Sequence, residues 1–221
     1  MRTSALALSL AGLATTGSAR ADSAAELEKL HSESIHTRRV LADAVLVDGV
    51  VGLAAGGALM IPSSADGAWR FAGINTAIFG TINTIIGIRA LIGIGQEERS
   101  WQAIDRSTPA GLLRARLRAA EDERRESVGH AINLGLDCGY IGIGAVAIVA
   151  SRAGADRPNR WLASGVAIIV QSLFLVAIDW VGLAKSHAYH ASFVEGIVPA
   201  VSVARTTFGT ETLFAVQVIT R

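Results

Sequence analysis

Four charged side chains fall deep inside long apolar runs of this chain: Asp48, Arg89, Asp137 and Asp179. A charge costs so much in an apolar medium that a chain keeping one there uses it, either to fix helix packing or to handle ions. Arg89 paired with one or more of the aspartates would set helix register. Three carboxylates against one guanidinium also leave excess acid, which could bind a cation or relay protons. Asp43, Asn83, His130, Asn133, Tyr140 and Gln171 stand near enough in sequence to contribute. His187 and His190, at i and i+3, are weak candidates for a shared metal, with interfacial histidines as the simpler account. Glu33-Ser34-Ile35-His36 has the Glu-x-x-His spacing of carboxylate-bridged metal sites, but the second such motif and further glutamates are missing. The chain holds no P-loop, no Gly-x-Ser-x-Gly, no His-Glu-x-x-His and no cysteine pair, Cys138 being alone. No nucleophile–base pair is visible, so an enzyme is disfavoured and no cofactor is expected.

The elements that must position these residues are four apolar segments, at about 41–61, 71–95, 128–150 and 161–184. Each approaches or exceeds the roughly 20 residues that cross a ~30 Å hydrocarbon core. Without water to bond the backbone, each must be a helix. The fold class expected is therefore an all-α membrane protein, a four-transmembrane-helix bundle. A soluble bundle is disfavoured because the segments are apolar around most of the helix instead of on one stripe. Trp69-Arg70 and Arg160-Trp161 open the second and fourth segments as interfacial anchors. Gly73, Gly80 and Gly87 recur every seven residues, and Gly52/Gly56 and Gly135/Gly139 form small-xxx-small pairs. Small residues let backbones approach in lipid, and packing within the chain is preferred to a dimerisation face.

Four helices alternating in direction bring the start of the first and third and the end of the second and fourth to one side. Asp48, Arg89, Asp137 and Asp179 then lie roughly 7–13 Å below that side. The helices are expected to extend beyond the bilayer there. Residues 96–127 hold seven acidic residues and seven arginines, interleaved as on a solvated helix face, with Thr108 capping and Pro109 opening a helix that runs into the third span. The composition excludes disorder (51% hydrophobic, 18% charged), and 20 Lys+Arg against 19 Asp+Glu argues against nucleic acid as a partner.

The two ends are read separately. Residues 1–21 look like a signal peptide: Arg2, an apolar Ser4–Thr16 too short to span, and Ala19-Arg20-Ala21 as a cleavage site. An uncleaved anchor is the alternative. Residues 22–190 would form the membrane domain. Residues 191–221 form a C-terminal tail in which Val201, Val203, Val216 and Val218 alternate with polar residues around Thr207–Thr210, as in a short β-hairpin, with a disordered tail as the alternative.

The run Asn133-Leu134-Gly135-Leu136-Asp137-Cys138-Gly139-Tyr140 resembles the signature of an uncharacterised bacterial family of small multi-span membrane proteins. Val170-Gln171-Ser172-Leu173-Phe174-Leu175 followed by Asp179 resembles its second motif. Ile74-Asn75 with Asn83 resembles its third, with Ile78 where Trp is expected. The resemblance spans about Glu26 to His190 and implies the four-span architecture but no activity. It also implies that Asp137 and Asp179 belong to one design.

The expected role is that of a structural or interaction protein of the bacterial envelope, in the inner membrane, with lipid, a second copy or an envelope protein as partner. A small ion- or proton-coupled transporter using the Asp/Arg cluster is the alternative. Orientation is contested. A cleaved signal peptide puts the cluster side outward, yet that side carries 13 Lys/Arg against 4 on the other, which argues for the cytoplasm. The three-part signal peptide is preferred.

Overall fold

A computed structural model describes residues 24–61 and 67–195. The signal peptide and the hairpin-like tail lie outside those residues. Four helices account for nearly all of the described chain: α1 Ala24–Met60, α2 Ala68–Gln102, α3 Pro109–Arg152 and α4 Pro158–Val194. All four are long and apolar enough to cross a membrane. At 1.5 Å per residue they run roughly 50–65 Å, well beyond a ~30 Å hydrocarbon core, so each carries an extension past its apolar part.

The helix ends follow local chemistry. The Thr108 hydroxyl accepts from the Gly111 N–H at 3.0 Å, and Pro109 occupies the first turn, where a missing N–H costs nothing. The turn between α3 and α4 uses Gly154 at φ 85, followed by Arg157, a left-handed non-glycine residue at φ 57. Pro158 then opens α4.

The chain folds as two antiparallel hairpins, α1 on α2 and α3 on α4, which meet chiefly through α2 and α4. Within the first hairpin, Gly52 lies on Gly80, and a Cβ added at Gly80 would fall 2.5 Å from the Leu53 backbone nitrogen. The seven-residue glycine row therefore serves packing inside the chain, as expected. Gly135 and Gly139 do not: a Cβ on either meets nothing within 4 Å. The second hairpin closes instead on Gly144 and Gly165, whose backbones approach as closely as those of the first. A small-xxx-small spacing marks a face that permits approach, and here α4 packs on another face of α3.

The extensions are not separate solvated helices. The start of α1, the end of α2, the start of α3 and the end of α4 converge into a head with its own core of Leu27, Trp101, Ala115, Ala119, Ala120 and Phe193. An i,i+4 ion pair from Glu121 to Arg125 lies on its surface, at 3.0 Å. In the apolar part the arrangement inverts, with large hydrophobic side chains pointing outward, Val146 at 68% and Val149 at 65% exposure.

Candidate functional site

Between the hairpins lies a cavity of about 760 Å³, bounded by the apolar half of all four helices and roofed by the head. On α3, His130 and Asp137 are seven residues apart, two turns, and so share the face that looks into it. On α4, Asp179 meets them. His130 Nδ1 and Asp179 Oδ1 stand 2.7 Å apart, and the Asp137 carboxyl hydrogen-bonds Asp179. The three residues thus form a continuous string of ionisable groups. Gly182, one turn past Asp179, makes room for it: a Cβ there would fall 2.3 Å from the His130 ring. The second carboxyl oxygen of Asp137, Oδ2, is buried without a hydrogen-bond partner.

A second polar pair approaches from the first hairpin. Asn83 on α2 is fully buried, lines the cavity and donates through Nδ2 to Asp48 Oδ2 at 2.7 Å. Asp48 therefore reaches the site through Asn83. Arg89, Asn133 and Tyr140 also line the cavity, and Tyr140 makes an edge contact with Phe79 across from α3 to α2, ring centroids 5.5 Å apart. The anticipated pairing of Arg89 with the aspartates is not what forms: Arg89 has no ion pair among the described residues, and His130 partners Asp179 instead. The reason lies in helix phase, because the faces of α3 and α4 that carry Asp137 and Asp179 pack on each other and leave α2 across the cavity.

The other expected residues are dispersed. Asp43 is exposed on α1 away from the cavity, and Gln171 has a buried, unpartnered Oε1 but does not line it. His190 engages the Ala120 carbonyl at 2.8 Å while His187 is exposed, so the two do not converge on a metal. Glu33 pairs with Lys29 at 3.9 Å and His36 is exposed. Among the described residues no cluster of three His, Cys, Asp or Glu side chains is placed to hold a metal.

Sequence reasoning missed the roof of the cavity. Arg38 grips Glu97 through both terminal nitrogens, at 2.8 and 2.7 Å, and reaches Glu126 at 2.8 Å and Glu123 at 3.8 Å. Ser34 donates to Glu123, which is 2% exposed. Burial pushes the Glu123 carboxyl up to about 7, against the Ser34 hydrogen bond and the nearby Arg38 charge. Burial also raises Glu97 above the usual carboxylate range. One layer higher, His31 stacks on Trp101 at 3.7 Å, and burial, then the Arg38 and Arg106 charges, hold it down to about 4. A signal was present: Leu27, His31, Ser34 and Arg38 recur at intervals of four, three and four, the period of a helix's inward stripe.

No curated protein and no solved structure matches this chain. A family model does, over residues 44–180, which is more than half of the sequence and contains Asp48, Asn83, Arg89, His130, Asp137 and Asp179. The chain belongs to DUF6992, a family of unknown function.

Proposed function

We propose that this protein is a four-span integral membrane protein of the bacterial envelope and a small ion- or proton-coupled transporter, with His130, Asp179 and Asp137 as its coupling site. The outward-facing apolar belt supports the membrane placement, since a soluble bundle of this length would bury those side chains. The observation that carries the transport reading is the string of three ionisable groups lining a cavity, with no arginine paired to them among the described residues. A register-fixing network would close on itself as an ion pair. This one faces open space, and Asp137 keeps an unused oxygen.

A structural or interaction role, carried by the packed head, is the competing account, and it predicts no flux. The test is proton and alkali-cation flux in proteoliposomes, read with a pH-sensitive dye and with radiolabelled sodium. Wild type should collapse an imposed gradient faster than empty vesicles, and Asp137→Asn should cut that rate at least tenfold while eluting as a folded protein. Equal rates for wild type, variant and empty vesicles would overturn the transport reading and leave the structural one.

A further inference from the structure

At the opposite end of the helices from the head, a second cavity of about 750 Å³ lies along the seam between α2 and α3, floored by α4. The Phe79–Tyr140 pair lines the polar cavity and not this one. Its chemistry is different. Along α3 it is lined by Gly139, Gly142, Ile143 and Val146, with Phe71 on the facing helix. The charged groups Asp156, Arg157 and Arg160 gather with Trp161 at its outer end, and one turn further in Asn75 donates to the Ser164 hydroxyl at 2.9 Å. Along α3 the lining runs from Gly139 to Ala147, roughly 12 Å of mainly apolar trough below a charged rim.

Two features give that trough a definite occupant. First, a Cβ built on Gly139 or Gly142 meets nothing within 4 Å, so the glycines leave room that no part of the described chain fills. Second, among the described residues the rim carries the guanidinium groups of Arg157 and Arg160 beside Asp156, and these offer donors to an anion. Arg160 is held in place, its guanidinium carbon 4.8 Å over the Phe71 ring, while Arg157 is exposed. Guanidinium groups match phosphate in geometry and charge. An apolar trough ending at two arginines and an interfacial tryptophan has the shape and polarity of a lipid lying along the bilayer normal.

We propose that this groove binds one anionic glycerophospholipid, its phosphate at Arg157 and Arg160 and one acyl chain against Gly139 and Gly142. The proposal rests on the membrane placement but not on transport. The bound chain would occupy the seam directly beneath Tyr140, so its presence would bear on how far the two hairpins can part.

The experiment uses the full chain in mild detergent, titrated with phosphatidylglycerol, phosphatidylcholine or inorganic phosphate while thermal unfolding is followed. Phosphatidylglycerol should raise the midpoint saturably, phosphatidylcholine at least fivefold more weakly, and inorganic phosphate not at all. Arg157→Ala should weaken the apparent affinity about tenfold. Gly142→Leu, which points into open space and so leaves the fold intact, should abolish the shift by filling the trough. Equal shifts with both lipids, a shift with phosphate alone, or a response surviving Gly142→Leu would overturn the site. A chain that stays monodisperse without detergent would overturn the membrane placement itself.

Discussion

Glu123 shows what one residue can encode. It occupies an inward position of α3 one turn after Ala119 and Ala120, 2% exposed, where a small or apolar side chain would be expected. Burial disfavours its charged form, and its carboxyl titrates near 7 in the folded head, against 4.5 ordinarily. Below pH 4.5 both folded and unfolded chains carry the proton, and nothing is lost. As pH rises from 4.5 to about 7 the unfolded chain ionises first, so it binds fewer protons than the folded one and folding stability falls. Above 7 the loss is complete and levels off. Glu123→Gln removes this dependence while keeping an acceptor for Ser34. The variant should therefore gain on wild type steadily between pH 4.5 and 7, and no further beyond, when melting midpoints are compared across that range. His31 works in the other direction. Held down to about 4, it leaves the unfolded chain with more protons between pH 4 and 6.5, so stability there rises with pH. In the overlap the two slopes oppose each other, and removing Glu123's share should tilt the profile toward the histidine's. A constant difference between Glu123→Gln and wild type across the range would show that Glu123 does not titrate in the folded head.

At the level of the helices, the part of the molecule written in small residues was legible and the part written in charges was not. The apolar lengths gave all four helices, and the Gly73, Gly80, Gly87 row identified the face of α2 that packs in the chain. Asp137 and Asp179 were recognisable because charge within an apolar run stands out against its neighbours. Their partner was not, since Arg89 and His130 lie at similar depth and only helix phase chooses between them. The head misled for the opposite reason. In a segment with seven acids and seven arginines, composition cannot mark which of them turn inward, so Glu97, Glu123 and Glu126 read as surface. Gly135 and Gly139 show the limit of spacing, which records permission to approach and not the partner. The close α1–α2 approach makes a direct prediction. Gly80→Ala places a methyl 2.5 Å from the Leu53 nitrogen, a backbone atom that cannot swing aside, and overpacking of this kind costs about 1–3 kcal/mol. Gly93→Ala, on the same helix with nothing within 4 Å, should be neutral or slightly stabilising through helix propensity. Thermal midpoints in detergent compare the two, and equal effects would mean that propensity, not contact, governs this row.

For the molecule as a whole, the asymmetry of 13 Lys/Arg on one side against 4 on the other gains a structural context. The positive-inside rule concerns charges in short loops flanking spans, while larger domains translocate largely regardless of charge. The described residues on the cationic side are not a string of loops. They are the extended ends of four helices, packed on a common core. Many of their cations are matched within it: Arg38 with Glu97 and Glu126, Arg39 with Glu98, Arg106 with Glu28, Arg118 with Asp122, and Arg124 and Arg125 with Glu121. The pairs of Arg38, Arg39 and Arg106 join segments far apart in the chain and form only once the head folds, while those of Arg118, Arg124 and Arg125 lie within α3, and the folded head then presents little net charge to either surface. A head of this kind suits the outer side of the inner membrane, where a cleaved signal peptide would deliver it, and it puts the polar cavity's roof toward the exterior. The string of ionisable groups would then open outward beneath the Arg38 layer, with the lipid groove in the cytoplasmic half, the leaflet whose anionic surface its two arginines fit. Fusions at Arg221 decide the matter. Alkaline phosphatase there should be active and a green fluorescent reporter dark. A cysteine introduced at Ala155, in the α3–α4 turn of a Cys138→Ser background, should resist a membrane-impermeant maleimide until the cells are opened. A bright fluorescent fusion with immediate labelling at that turn would reverse the orientation, and with it the side from which the coupling site takes its proton.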